Sequence, residues 1–264
     1  MSTISPTRLQ VKDLATRDGK EFSIRVGENA DKRPRNAVIL LPAIAGVNPY
    51  IESTAGQLMK RGYTVAIMDY FSRWPKAPDL STHERIGEAI AAMDDREVLL
   101  EIEAAMSWLG SRGISDEAMG VLGFCIGGAY AVLSAASERP PKCSVAYYGL
   151  LEYVNKTERK PTDPMSVASS LKSPLLGHFG AQDRLISRTQ IDQFTTRMSE
   201  ANISHEVFTY EGAPHAFDEW FRPEVYRPIA SAEAWTRTAT FLDWHLCRSV
   251  PGRNALSQQS AQGD

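Results

Sequence analysis

Short apolar runs bounded by glycine or proline alternate along this chain with longer stretches in which apolar residues recur at helical spacing. Several of the runs are almost continuously apolar, so we expect strands that are covered on both faces, as in a parallel sheet. The predicted strands are Ala37–Leu41, Tyr63–Met68, Met119–Leu122, Ser144–Tyr148, Pro174–Phe179 and His205–Tyr210. This alternation is typical of an α/β protein built from βα units.

Capping residues mark several of the predicted helices. Asn48 followed by Pro49 favours a helix start, and Gly62 suits the end of that helix. Acidic residues open a second helix at about Asp94, and Gly110 is its predicted C-cap. The predicted helices are 49–60, 94–109, 126–137, 188–201 and 231–246.

The chain reads as one domain over residues 1–264, with a core of about 20–247. The segment Leu151–Leu171 is polar, contains proline and lacks a clear period, so we expect a long excursion near the functional site. The polar tail after Val250 is expected to fray.

Composition narrows the classes of function. Hydrophobic residues make up 43% and charged residues 23%, as in an ordinary folded domain, and the net charge of −3 argues against nucleic acid as a partner. There is no secretory signal pattern and no apolar run of about 18 residues, so we expect a soluble cytoplasmic protein that does not enter a membrane. Three widely spaced cysteines predict neither a disulfide framework nor a metal site.

The segment Gly123-Phe124-Cys125-Ile126-Gly127-Gly128 lies between a predicted strand and a predicted helix. It matches the G-x-nucleophile-x-G turn of hydrolases, with cysteine as the nucleophile. The glycines permit a tight turn, and the helix N-terminus favours a thiolate and a developing oxyanion. The alternative is a glycine-rich turn that contains a buried, inert cysteine.

Two further residues follow Cys125 where its catalytic partners are expected. Asp183 follows the strand Pro174–Phe179, and His215 follows the strand that ends near Tyr210. Alone, each is more often a turn, structural or solvated residue. Together, the order nucleophile, acid, base predicts the α/β-hydrolase fold, a mostly parallel sheet with helices on both faces.

This arrangement predicts a mechanism. His215 would deprotonate or ion-pair with Cys125, Asp183 would fix the tautomer of His215, and the thiolate would form an acyl-enzyme that water cleaves. The backbone N–H groups of Ile126 and of Ile44, or of a neighbour of Ile44, are the expected donors to the oxyanion.

Several motifs in order make the chain resemble the dienelactone hydrolase (carboxymethylenebutenolidase) family over about residues 20–247. They are Gly46-Val47-Asn48-Pro49, Asp69-Tyr70-Phe71-Ser72-Arg73, the turn around Cys125, Tyr147-Tyr148-Gly149 and Pro214-His215-Ala216-Phe217. The resemblance implies hydrolysis of a cyclic enol-lactone from catechol breakdown, through a Cys-His-Asp triad and without a metal or organic cofactor. We expect a small ester or lactone as the binding partner and a monomer or a small homo-oligomer as the assembly.

The resemblance breaks at two positions. Where the family carries a glutamate linked to thiolate formation, this chain has Ala43, so we expect Cys125 to pair directly with His215 and to be reactive before substrate arrives. The family holds the lactone carboxylate with two arginines, of which Arg73 matches one. At the second position the chain has Asp218-Glu219-Trp220, with Arg222 as a nearby candidate replacement.

Trp74, Tyr148, Phe217 and Trp220 are candidates for the pocket wall, with simple packing as the alternative. Three functions stay open at this point. The chain could be a cysteine hydrolase that opens a dienelactone-like lactone or cleaves a small ester, a broad carboxylesterase or thioesterase, or a non-catalytic ligand-binding protein on the same fold.

Overall fold

An eight-stranded sheet forms the centre of the computed structural model, which describes residues 9–28 and 35–247. The strands are β1 (Gln10–Ala15), β2 (Glu21–Gly27), β3 (Ala37–Leu41), β4 (Thr64–Met68), β5 (Met119–Phe124), β6 (Cys143–Tyr147), β7 (Leu175–Gly180) and β8 (His205–Tyr210). Their order across the sheet is β1-β2-β4-β3-β5-β6-β7-β8. The six strands from β3 to β8 are parallel, and the β1–β2 and β2–β4 pairs are antiparallel. The mostly parallel sheet is therefore confirmed.

All six predicted strands are present, with ends that differ by at most two residues. The strands β1 and β2 were not predicted. Five of the six residues of β1 are exposed, so this strand lacks the apolar signature of the others.

Seven helices flank the sheet within the described residues. They are α1 (Pro49–Lys60), α2 (His83–Ala92), α3 (Asp95–Ser111), α4 (Ile126–Ala135), α5 (Pro164–Val167), α6 (Arg188–Glu200) and α7 (Pro228–Leu246), with short 3₁₀ turns at Asp116–Ala118 and Ala168–Ser170. The five predicted helices are all found, and α2 and α5 are additional. The predicted cap at Asn48 is confirmed, because its side chain accepts a hydrogen bond from Ile51 N–H. Asp94, predicted as the first helical residue, is instead the N-cap of α3 and accepts from Arg96 N–H.

Two helix ends differ from the sequence prediction. Gly110 lies inside α3, and the left-handed residue after this helix is Gly113, with φ +88°. The prediction of Gly110 as the C-cap was therefore wrong, because the turn needs positive φ three residues later. The last helix starts at Pro228 rather than Ser231, since proline suits a first helical position.

Apolar residues of β3, β4 and β5 alternate between two buried clusters, one on each face of the sheet. In β3, for example, Val38 and Leu40 belong to one cluster and Ile39 and Leu41 to the other. The helices α1 and α7 contribute to the first cluster, and α2 and α3 to the second. Helices on both faces explain why these strands are apolar throughout.

The excursion 151–171 is fixed by a buried ion pair. Lys160 is 3% exposed, and its Nζ lies 2.6 Å from Asp95 Oδ1 on α3 and 3.1 Å from the hydroxyl of Tyr130 on α4. Arg197 of α6 donates to the carbonyl of Met165 at 3.0 Å. The segment is thus tied to three helices. The predicted tail after Val250 lies outside the described residues, and no helix within 9–28 and 35–247 is long and apolar enough to cross a membrane.

The turn from β5 to α4 brings backbone against backbone. A Cβ on Gly123 would lie 2.0 Å from the carbonyl oxygen of Gly127, and a Cβ on Gly127 would lie 2.2 Å from the carbonyl oxygen of Leu41. Only glycine fits at either position, since backbone atoms cannot move aside as a flexible side chain can. Helix α4 therefore starts in direct contact with the end of β3.

We expect Gly127→Ala to destabilise the protein by about 2 kcal/mol or more, because the added methyl overlaps backbone oxygen atoms. Gly110→Ala is the matched control, since it adds the same methyl to a helix where nothing lies within 4 Å. It should stabilise by about 0.5–1 kcal/mol through helix propensity. Denaturant unfolding of both variants measures the difference, and equal free energies of unfolding would contradict the close contact.

Candidate active site

Cys125 lies in the turn between β5 and α4, as the residue that caps the N-terminus of α4. Its backbone has φ 53° and ψ −117°, a conformation that is strained for a residue with a side chain. Its N–H donates to the carbonyl of Tyr147 at 3.0 Å, which ties the turn to the end of β6. The thiol is partly exposed and lies at the positive end of a helix. Such a position stabilises a thiolate.

Asp183 and His215 meet at the carboxyl ends of β7 and β8. Asp183 Oδ2 accepts a hydrogen bond from His215 Nδ1 at 2.7 Å, and the Asp183 side chain is fully buried. The other carboxylate oxygen accepts from the N–H groups of Leu185 and Ile186 at 2.8 and 3.2 Å. Both oxygens are therefore occupied, and the imidazole is held with Nε2 free to act on a neighbour.

The loops that carry these two residues are packed tightly together. A Cβ on Gly180 would lie 2.3 Å from the carbonyl oxygen of Ala213, and Gln182 N–H donates to the same carbonyl at 2.9 Å. Ala216, directly after His215, has φ 62°. The separation of Asp183 and His215 is thus set by backbone contacts and not by flexible side chains.

Cys125 acts electrostatically on His215. Nε2 of His215 is buried and makes no hydrogen bond of standard geometry within the described part of the chain. Burial alone would lower the pKa of His215, but attraction to Cys125 and the hydrogen bond to Asp183 outweigh it and raise this pKa to about 10. The surroundings of the ring, with Asp183 on one side and Cys125 near the other, therefore favour its charged form.

Two backbone N–H groups near Cys125 are candidates for binding an oxyanion. Ile126 is the first residue of α4, and Ile44 lies in the loop after β3, which the close approach of Gly127 to Leu41 brings to the start of α4. Neither N–H donates a hydrogen bond in the backbone and side-chain contacts found for residues 9–28 and 35–247. These are the two residues that the sequence singled out for this role.

The four candidate aromatic residues lie in different surroundings. Tyr148 is fully buried, with φ 38° and a ring centroid 5.1 Å from that of His215. Phe217 packs behind it, with centroids 5.6 Å apart. Trp74 packs edge-on against Phe71, and Trp220 is 49% exposed beside a cavity of about 260 Å³ that Asp218 and Trp235 also line. Tyr148 is therefore the aromatic residue in contact with the presumed general base.

Arg73 is held by two acidic residues of α3. Its Nη2 lies 2.8 Å from Glu97 and 2.9 Å from Glu101. Glu101 is 2% exposed, and burial raises its pKa to about 7 despite the nearby Arg73. Sequence reasoning did not single out Glu101, although it occupies the apolar face of α3 three residues after Val98 and four before Ala105.

Glu219, in the segment where the resemblance implies a second arginine, is buried and pairs with the partly exposed Arg222. Its carboxylate lies 3.0 Å from Arg222 Nη1, and burial raises its pKa, while Arg222 and His215 act in the opposite direction. Arg222 is thus engaged by Glu219. Ala43 is buried, and Glu52 is exposed on α1, where its carboxylate lies 3.5 Å from Arg25.

No group of three or more His, Cys, Asp or Glu side chains is arranged to hold a metal ion in the part of the chain that the structure describes. The site is composed of a thiol, an imidazole, carboxyl groups and two arginines.

Comparison with curated proteins gives relatives named as lactone hydrolases. The "Probable 2-oxo-3-(5-oxofuran-2-ylidene)propanoate lactonase" of a Bradyrhizobium species is 42% identical over 214 residues, which cover 80% of this chain and 84% of that protein. The "Carboxymethylenebutenolidase" of Rhodococcus opacus is 28% identical, with 83% and 84% covered.

A solved structure shares the architecture. The crystal structure of a "Putative Dienelactone Hydrolase" from Klebsiella pneumoniae matches with a TM-score of 0.80 at 24% identity, covering 89% of this chain and 98% of that one. The fold is accordingly the predicted α/β-hydrolase fold. The family model for the dienelactone hydrolase family matches residues 22–246. The chain therefore belongs to the dienelactone hydrolase family and is a hydrolase of lactones or esters.

Proposed function

We propose that this protein opens an unsaturated five-membered lactone that carries a carboxylate arm, with Cys125 as nucleophile, His215 as acid and base, and Asp183 as the group that orients His215. The observation that carries the proposal is the electrostatic coupling of a strained, partly exposed cysteine at a helix N-terminus to a buried His–Asp pair. A buried structural cysteine needs no such partner. Cys143, 0% exposed in β6 with a pKa raised to about 12 by burial, is the contrasting case.

The substrate class rests on the two relatives. Their names describe a furanone bearing an exocyclic propanoate and a butenolide bearing an exocyclic carboxymethylene group. Both compounds are enol-lactones whose exocyclic double bond carries an arm that ends in a carboxylate. An enol-lactone is an activated ester, because the leaving oxygen becomes an enol that rearranges to a ketone. Such compounds arise in the breakdown of aromatic rings, which agrees with the resemblance seen in the sequence.

In the first step, the Cys125 thiolate attacks the lactone carbonyl carbon, and the carbonyl oxygen takes the negative charge. The N–H groups of Ile126 and Ile44 would bind this oxygen, and the positive end of α4 would add to the stabilisation. The ring C–O bond then breaks, and His215 gives its Nε2 proton to the leaving enolate oxygen. The product of this step is a thioester on Cys125 that still contains the whole opened substrate.

In the second step, neutral His215 takes a proton from water, and the hydroxide attacks the thioester carbonyl carbon. The C–S bond breaks, the open-chain acid leaves, and the thiolate–imidazolium pair is restored. Asp183 accepts the hydrogen bond from His215 Nδ1–H in both steps. This bond favours the tautomer that exposes Nε2 to Cys125.

A broader carboxylesterase or thioesterase is the second candidate. It is favoured by the engagement of both nearby arginines, Arg73 by Glu97 and Glu101 and Arg222 by Glu219. The non-catalytic reading has less support, since it gives no reason for a chemically competent residue at each of the three triad positions.

Replacement of the nucleophile tests the proposal. We expect Cys125→Ala to lower kcat/KM for ring opening of the carboxymethylene-butenolide lactone, and for hydrolysis of a neutral aryl acetate, by about 10⁴-fold or more. Cys247→Ser is the matched control, because it removes the exposed thiol at the end of α7. It should leave both activities unchanged.

The pair of substrates separates the two candidates. Cys125-dependent opening of the lactone supports the lactonase, and Cys125-dependent cleavage of the acetate alone supports the esterase. Wild-type activity in the Cys125→Ala variant would contradict both.

The proposed ion pair between Cys125 and His215 predicts a reactive thiol in the free enzyme. In the Cys247→Ser background, iodoacetamide should alkylate Cys125 rapidly at about pH 6.5, and His215→Gln should slow this reaction about tenfold or more, since it removes the positive partner. Intact-mass spectrometry measures the rates, and peptide mapping locates the label. We expect this direct pairing of Cys125 with His215 because Ala43 stands at the position of the family glutamate. Equal alkylation rates with and without His215 would contradict it.

A further inference from the structure

Tyr70, Arg73 and Glu101 form a polar cluster near Cys125 that the mechanism above does not use, in which the Arg73 side chain is 18% exposed. Tyr70 is 3% exposed and Glu101 2% exposed. Burial, and then the negative charges of Glu101 and Cys125, raise the pKa of Tyr70 well above its ordinary value. The Tyr70 hydroxyl is therefore within electrostatic reach of both Glu101 and the nucleophile.

Each member of the cluster has a buried polar atom without a hydrogen-bond partner among the described residues. These atoms are the Tyr70 hydroxyl, Arg73 Nε and Glu101 Oε2. Buried polar groups are nearly always paired, and leaving one unpaired is costly. Three unpaired atoms in one cluster next to a nucleophile point to a place that a polar group of a ligand completes.

The charges of the cluster are already balanced. Arg73 faces Glu97 and Glu101, and Glu97 also forms an ion pair with Lys20. The two cations and two carboxylates cancel. A substrate carboxylate that binds Arg73 would therefore add a third negative charge to the cluster, unless one of the two glutamates becomes protonated.

We propose that Glu101 is a specificity-determining residue, which holds the Arg73 guanidinium in the free enzyme and yields it to the carboxylate of the substrate. The inference rests on the proposed function, and it assigns the enzyme's selectivity for anionic substrates to Glu101 on α3. Glu101 acts as an internal stand-in for the substrate carboxylate, and an anionic substrate binds best to the form in which Glu101 is neutral.

The pH dependence follows from the groups around Glu101. Burial raises the pKa of Glu101 to about 7; Arg73 and Lys20 favour its charged form, whereas Glu97 on the same helix and Asp69 in the loop after β4 disfavour it. Below that pH Glu101 is neutral, and Arg73 faces one carboxylate, that of Glu97, in place of two, so it attracts an anion more strongly. As pH rises through 7, Glu101 ionises and competes with the substrate, so KM for an anionic substrate rises. KM for a neutral analogue has no such dependence.

The test compares the carboxymethylene-butenolide lactone with its primary carboxamide, which differs only in lacking the charge. The ratio of their kcat/KM values cancels the titration of Cys125 and His215, which both reactions share. In the wild type this ratio should fall about tenfold between about pH 5.5 and pH 9, as expected for the loss of one charge-assisted interaction. In Glu101→Gln the ratio should be high and flat, through a lower KM for the acid with kcat changed less than about twofold.

Glu97→Gln is the matched control, because it removes the same charge from the same guanidinium at a more exposed position. Its ratio should rise at every pH and keep the wild-type slope, since Glu101 still titrates. In the Arg73→Ala background, Glu101→Gln should bring no gain for the acid.

Four outcomes would overturn the inference. They are a flat ratio in the wild type, an equal effect of Glu101→Gln on both compounds, a gain that survives without Arg73, and a loss of the slope in Glu97→Gln. If Glu101→Gln does not fold, the wild-type profile and the Glu97→Gln profile carry the test. Turnover of neither compound would instead contradict the proposed function, and the inference would fall with it.

Discussion

The contact between the start of α4 and the end of β3 is the constraint on which the site depends. Gly123 and Gly127 let three backbone segments meet where any side chain would overlap carbonyl oxygens. That contact forces Cys125 into its strained conformation at the helix N-terminus, and it brings the loop with Ile44 alongside Ile126. A second backbone contact, between Gly180 and Ala213, sets the positions of Asp183 and His215. The side chains of the site are thus placed by the sheet and not by their own flexible contacts.

The pairing of buried charges is the second constraint on the site. Cys125 and Asp183 raise the pKa of His215, and two arginines are each held by a buried glutamate with a raised pKa. Buried charges are tolerated only when they are paired, so each pair can be opened by a ligand that brings equivalent partners. This property connects the pairing of Arg73 in the free enzyme to the choice of substrate.

Much of the fold and of the presumed triad could be predicted, because both depend on local patterns. A continuously apolar run, an Asn-Pro cap and a G-x-C-x-G turn each specify structure within a few residues, and the order of Cys125, Asp183 and His215 places them at neighbouring strand ends. The exposed strand β1 carries no such pattern, since it is defined by antiparallel pairing with β2. The engagement of Arg73 by Glu101, 28 positions along the chain, and of Asp95 by Lys160, 65 positions along, arises only once α3 is packed. The resemblance to the family implied that Arg73 binds a substrate carboxylate. It did not indicate that the Glu101 carboxylate is already paired with Arg73.

The central claim is that Cys125 forms an acyl-enzyme. Rapid acid quenching of the enzyme during turnover of a slowly hydrolysed ester, followed by mass spectrometry, measures it directly. The account predicts a mass increase equal to the acyl group, located on the peptide that contains Cys125 and absent from Cys125→Ala. An acyl group on another residue, or turnover of the ester by the wild type with no covalent intermediate on Cys125, would contradict it.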